Sequence, residues 1–389
     1  MREVYADHAA TTRMAPEVLD AMLPYLGERF GNPSSVHARG DAAREALTAA
    51  RERVAIATGA NLEEVVFTAG GSEANNLALK GIVAMAAPER RRLVVSAVEH
   101  PSVLETAREL EREGVPVTIV PVDADGIVSI AALERAIDSD VALVSLMIAN
   151  NETGAIQPIA AAAALAHAAG ARLHTDAVQA LGKLPVSMAT LDADLLSLAA
   201  HKFHGPPGVG ALIVRRRTRL LPLVHGGHQE RGRRAGTENL AGAVGLGVAI
   251  ARAEARRESE AQRVSELSLR LWEGLRSRVE RCRRNGPEAN RLPGVLNLSF
   301  EGVDGEAVLH ELDRHGITIS TGSACSAAAA GPSHVLIAMG LSPELAHASV
   351  RFSLGEDTTE ADLDHILQTV PPVVARLRSL GGPALERSA

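Results

Sequence analysis

Short apolar runs alternate, over the first half of the chain, with stretches in which apolar residues return every three or four positions. Runs of four to eight such residues bounded by Gly, Pro or Asp read as strands, and the 3.6-period stretches as helices. Strands are expected at 64–68, 92–96, 115–121, 141–148, 171–175, 194–197 and 210–214. A helix is expected to open at Ser72 after Gly70-Gly71, another at Pro101 where proline suits the first turn, and a third over 159–169. Strand–helix alternation of this kind gives an α/β fold with a largely parallel sheet. After Thr237 the pattern changes. A helical stretch rich in Arg and Glu runs over 239–283, as a helix leaving one unit and entering another would. A second α+β set follows, with strands near 294–300, 317–320 and 349–353 and helices near 305–315 and 359–380.

The 389 residues suffice for two or three packed units, with 46% hydrophobic and 22% charged residues. A net charge of −7 provides no basic field, so nucleic-acid binding is not expected. The apolar runs are too short to cross a bilayer, and positions 1–20 lack the apolar region of a secretory signal. Two cysteines, Cys282 and Cys325, make neither a disulfide framework nor a four-thiolate zinc site, which points to a reducing cytoplasm. Aromatics are 2% of the chain, so stacking on a ligand ring falls to another residue type, such as histidine.

Four segments carry candidate chemistry. In the first, 68–76, a strand ends, two glycines turn, and Ser72 stands where a helix starts. Free N–H groups there favour a phosphate, although Ser72 reads equally well as a plain N-cap. The segment lacks the three-glycine dinucleotide fingerprint. In the second, Asp176 ends an apolar run, where α/β proteins bind ligands and where Asp also commonly caps a helix. In the third, Lys202 lies between an apolar strand and the turn 205–210. An amine that loses hydration there has a lowered pKa and is competent to form a Schiff base. His201 and His204 have no third ligand nearby, so no metal is expected. In the fourth, Cys325 sits among the small residues of 321–331, a candidate nucleophile, whereas Cys282 reads as a packing or surface cysteine.

Taken together, ordered segments along nearly the whole chain resemble a pyridoxal-phosphate enzyme of fold type I, in the class V aminotransferase group, and within it the cysteine desulfurases of the NifS/IscS type. They include Asp7-His8-Ala9-Ala10-Thr11-Thr12, Gly31-Asn32-Pro33-Ser34-Ser35, Glu99-His100 and Asn150-Asn151-Glu152-Thr153-Gly154. The later ones are His201-Lys202, Arg234-Ala235-Gly236-Thr237-Glu238-Asn239, Gly322-Ser323-Ala324-Cys325 and Arg351-Phe352-Ser353-Leu354-Gly355. The resemblance implies a large cofactor-binding domain over 13–255, with a mostly parallel central sheet flanked by helices. It implies a smaller α+β domain from 1–12 and 256–389, carrying a catalytic loop at about 321–333.

The implied cofactor is pyridoxal 5'-phosphate. Lys202 would hold it and then move the substrate's Cα proton, Asp176 would face the pyridine nitrogen, and Gln179 would bond the phenolic oxygen. His100 would stack on the ring, Gly71, Ser72 and His201 would hold the phosphate, and Asn151 would lie near ring and substrate. Thr237 would reach the phosphate of a second subunit, which makes a homodimer. Arg351, with Asn32 assisting, would clamp the carboxylate of L-cysteine. Cys325 would take the sulfur as a persulfide, leaving L-alanine, for a sulfur-acceptor protein such as an iron–sulfur scaffold or a sulfur carrier. Other lyases or aminotransferases of the fold, selenocysteine lyases among them, would need Lys202 and Asp176 but no loop thiol. The chain departs from the family at three places: Ala199 lacks a phosphate-binding hydroxyl worth roughly 1.5–3 kcal/mol, Ser72 replaces a frequent Thr, and 327–330 are all Ala.

Overall fold

Among the described residues twelve strands form, most of them where the apolar runs lie. They are β1 (Val4–Tyr5), β2 (Val65–Thr68), β3 (Arg92–Ser96), β4 (Val117–Val120), β5 (Val141–Ser145), β6 (Arg172–Asp176), β7 (Leu195–Ala199), β8 (Gly210–Val214), β9 (Cys282–Asn285), β10 (Val295–Phe300), β11 (Ile317–Thr318) and β12 (Ser349–Ser353). The structure is a computed structural model and describes residues 2–322 and 331–380.

Seven strands make the central sheet, in the order β2-β8-β7-β6-β5-β3-β4. All neighbours pair in parallel except β8, which runs antiparallel to β7 and β2. β5, β7 and β8 are buried along their whole length, because helices cover both faces. The strand period of two sorts their side chains. Leu93, Val95, Leu143, Leu195 and Leu212 enter the core beneath Gly71–Met85 and Pro101–Arg112. Val94, Val144, Leu196 and Ile213 enter the opposite core with Ala38–Thr58, Ile159–Ala168 and the start of Leu240–Arg276.

That last helix is 37 residues long and joins two cores. Its first half packs Leu246 and Ile250 on the central sheet. Its second half packs Val264, Leu267, Leu271 and Leu275 against Phe300, Val350 and Phe352 of the smaller antiparallel sheet β12-β10-β9. The extreme N-terminus belongs with this second set, since β1 pairs with β11 and Ser353 donates its N–H to Ala6 at 2.7 Å.

Two local expectations need correction. The long helix stops at Arg276 rather than 283, and Cys282 opens β9, paired with Phe300. The run of Arg and Glu hid the break, which falls after Arg276; Arg281, at φ +50°, then precedes β9. The helix expected at Ser72 begins at Gly71, capped by Gly70 at φ +154°, so Ser72 lies inside the first turn and is not the cap.

Candidate active site

A parallel strand delivers the residue after its last hydrogen bond to one edge of the sheet, and here five strands deliver to one place. β2 leads to Gly71 and Ser72, β3 to His100, β5 to Asn151, β6 to Asp176 and Gln179, and β7 to His201 and Lys202. They surround a cavity of about 280 Å³, and Arg351 closes it from β12 of the second set. Nine residues scattered over 280 positions of sequence thus share one wall, with Ala199 between them.

Asp176 is 6% exposed, and its two oxygens are individually held. Oδ1 accepts the N–H of Val178 at 2.9 Å, and Oδ2 accepts Asn75 Nδ2 at 2.7 Å. Asn75 also donates to Ser102 Oγ at 2.9 Å. The N–H of Ser102 in turn donates to His100 Nδ1 at 3.1 Å. A backbone N–H can only donate, so Nδ1 is the acceptor and the ring proton sits on Nε2. Burial pushes the His100 pKa down, and Lys202 adds to this, so the ring that faces the cavity is neutral.

Lys202 Nζ donates to the carbonyls of Ala9 and Ala10, both at 2.7 Å. The same segment accepts Gln179 Nε2, at Ala9 O, at 2.8 Å. His201 bonds Thr11 Oγ1 at 3.1 Å, and burial, followed by the charges of Lys202 and Lys183, lowers it to about 4. Residues 9–11 therefore order three site side chains. Arg351 is 3% exposed. It pairs Nη2 with Asp7 Oδ1 at 2.6 Å and donates Nη1 to Asn151 O at 3.0 Å. Asn151 is presented by a tight turn in which Asn150 Oδ1 accepts the N–H groups of Glu152 and Thr153. Glu99, fully buried beneath, accepts the N–H of Met147, and burial raises its pKa well above the usual carboxylate range.

Pyridoxal phosphate fits these residues. An acid, a stack-forming imidazole, an amine and a guanidinium face one volume, and the first-turn N–H groups of Gly71 and Ser72 lack intrahelical partners. A Cβ at Gly71 would meet Val178 Cγ2 at 2.8 Å, so only glycine leaves that approach open. Two polar atoms of cavity residues, Asn75 Oδ1 and Arg351 Nε, are buried without a partner among the described residues. No cluster of three metal-ligating side chains occurs among the described residues.

Two expected residues lie elsewhere on this chain. Asn32 is exposed and spends its Oδ1 on the N–H of Ser34, and Thr237 is exposed in the turn before the long helix. Cys325 lies outside the described residues, three positions after Gly322, which lines the cavity. Asn75 and Ser102 line the cavity and were missed by motif reading. Asn75 lies within the quoted 68–76 segment, but only its place one helical turn after Ser72, on the same face, marks it.

The family model for aminotransferase class-V matches residues 4–366. A cysteine desulfurase of Cereibacter sphaeroides is 49% identical over 382 residues, covering 98% of each chain. The cysteine desulfurase IscS of Dictyoglomus turgidum is 46% identical over 97% of this chain and 96% of its own. Among solved structures, a NifS-like protein superposes with a TM-score of 0.91 at 36% identity, over 97% of this chain and 100% of its own. SspA in complex with cysteine superposes at 0.81 and 37% identity, over 90% of this chain and 99% of that one.

Proposed function

The chain belongs to the class-V aminotransferase family and, within it, to the cysteine desulfurases; we propose that it removes sulfur from L-cysteine, giving L-alanine and a persulfide on Cys325. The observation that carries this reading is the convergence of Lys202, Asp176, Gln179, His100 and Arg351 on a single cavity, with Gly322, the last described residue before Cys325, in its wall.

Pyridoxal phosphate, when bound, supplies an electron sink conjugated to the substrate's Cα. Asp176 fits the pyridine nitrogen, since its carboxylate is fixed by two donors and holds a proton opposite it. Gly71, Ser72 and the neutral His201 fit the phosphate at the helix start. Lys202, held over Ala9 and Ala10, carries the proton to and from Cα. Arg351 fits the substrate carboxylate, with Asp7 holding part of its fork until substrate arrives.

The sulfur step balances without an added oxidant. A bond forms between the Cys325 thiolate and the substrate sulfur while the carbon–sulfur bond breaks. Its electron pair stays with the carbon, which takes up a proton and becomes the methyl group of alanine. A sulfur-acceptor protein then takes the persulfide sulfur.

A homodimer is part of this reading. Thr237 and Asn32 are exposed, and Leu26, Phe30 and Val36 beside Asn32 are 65%, 63% and 98% exposed, an apolar surface that a second copy would cover. A reducing, cytoplasmic location fits a thiol that must stay free; no described helix is long and apolar enough to cross a membrane.

Mass spectrometry of the protein incubated with L-cysteine tests the reading. We expect a gain of one sulfur atom on Cys325 and stoichiometric alanine. A Cys325→Ser protein should keep its visible colour and lose sulfide release; undiminished release from it would overturn the persulfide route.

A further inference from the structure

Behind Lys202 lies a second, smaller cavity of about 80 Å³, and Lys183 lines it together with Lys202. None of the roles above uses Lys183. Its Nζ donates to Gln179 Oε1 at 3.1 Å, one helical turn back along the segment that follows β6. We propose, on the reading that the larger cavity holds pyridoxal phosphate, that Lys183 is a positioning residue that fixes the Gln179 amide and sets a second cation behind Lys202.

The amide orientation follows from chemistry at both of its ends. The Ala9 carbonyl can only accept, so it must receive the Gln179 N–H group, which it does at 2.8 Å. An ammonium can only donate, so Lys183 must face the oxygen. With Oε1 taken by Lys183, Gln179 has only its remaining N–H to offer the larger cavity. It therefore selects an acceptor, the ionised phenolic oxygen of the cofactor, over a protonated one.

The electrostatic part rests on what surrounds Lys183. Lys202 and His201 follow β7, Arg351 comes from β12, and His8 from the segment after β1. The long helix contributes Arg252, Arg256 and Glu260, and His204 and Glu356 complete the wall. Both arginines there pair with Glu356, at 2.6 and 3.1 Å, and each has a second carboxylate, Glu17 for Arg252 and Glu260 for Arg256. Lys183 has no carboxylate partner among the described residues, only a neutral amide. Burial, followed by Lys202 and Arg351, pushes it down to about 7. Where Lys183 is protonated, its charge acts at short range and little screened on the nitrogen of Lys202. Both effects disfavour a proton on that nitrogen once it is joined to the cofactor.

The test is the pH at which the visible absorption band of the pyridoxal-phosphate-loaded full chain loses half its intensity. Lys183→Met should move this midpoint upward by about one pH unit, the size of shift one close unpaired charge produces. Lys183→Gln, which removes the charge but keeps a donor for Gln179, should move it by less. Lys183→Arg, which keeps both, should return it most of the way. A lysine with a merely structural role would change the melting temperature and leave the midpoint in place. If Lys183→Met does not fold, the Lys183→Gln midpoint decides, and a wild-type midpoint in whichever neutral variant folds overturns the proposal. A wild-type chain that takes up no pyridoxal phosphate overturns the site reading itself, a distinguishable failure.

Discussion

The two cavities on either side of Lys202 are built on opposite principles. In the larger one an acid, Asp176, is pinned by two donors, and the neighbouring imidazoles are kept neutral by burial. In the smaller one cations crowd together, and the carboxylates present are spent on Arg252 and Arg256. An anion in front of an amine favours a proton on it, and cations behind disfavour one, so the two walls act on Lys202 in opposite senses. On the proposal that Lys183 acts on Lys202, the wall behind the amine matters as well as the cavity in front.

The largest expected effect tests the front. Lys202→Ala should abolish alanine formation and the persistent visible band; alanine still formed at a measurable rate would remove Lys202 from its role. Next comes the anion clamp. Arg351→Lys exchanges a fork for a point charge, a loss of roughly 1.5–3 kcal/mol, so KM for cysteine should rise about tenfold to a hundredfold with kcat less affected. If only stability falls and KM stays fixed, Arg351 is merely the partner of Asp7.

The smallest effect probes the cation-rich side by acidification. His8 is 4% exposed and gives Nδ1–H to Ser353 O at 3.0 Å. Burial lowers it to about 4 in the fold, against 6.5 for an ordinary histidine. The unfolded chain thus takes up the proton first as pH falls. Stability is complete above about pH 6.5, declines toward pH 4 by about 1.4 kcal/mol per unit for this group, and levels below that. His8→Gln should remove one proton's worth of slope from urea unfolding measured across that window. An unchanged slope would show that His8 is not the buried neutral ring described here.

Much of this was legible along the chain because strand and helix periods are local. The parallel strands, the turn before Lys202 and the acid after β6 each follow from a few neighbouring residues. Motif order then gathered Lys202, Asp176, Gln179, His100 and Arg351 into one site without any contact map. The break after Arg276 was not legible, because a charged run satisfies a helix and an edge strand equally well. Nor were Asn75 and Ser102, whose importance lies in what they hold rather than in any motif of their own.

The sequence by itself determined the α/β alternation, the chemical inventory and the family, since these rest on spacing and residue type. Only the tertiary structure decided that Ala9 and Ala10 carbonyls hold Lys202, that Asp7 pairs with Arg351, and that Lys183 stands behind the amine. Those contacts join positions about 190 to 340 apart, or opposite ends of one segment across a cavity. Hydrogen bonding and unscreened charge act over a few ångströms of space, and such proximities are set by how the chain packs, which no local period records.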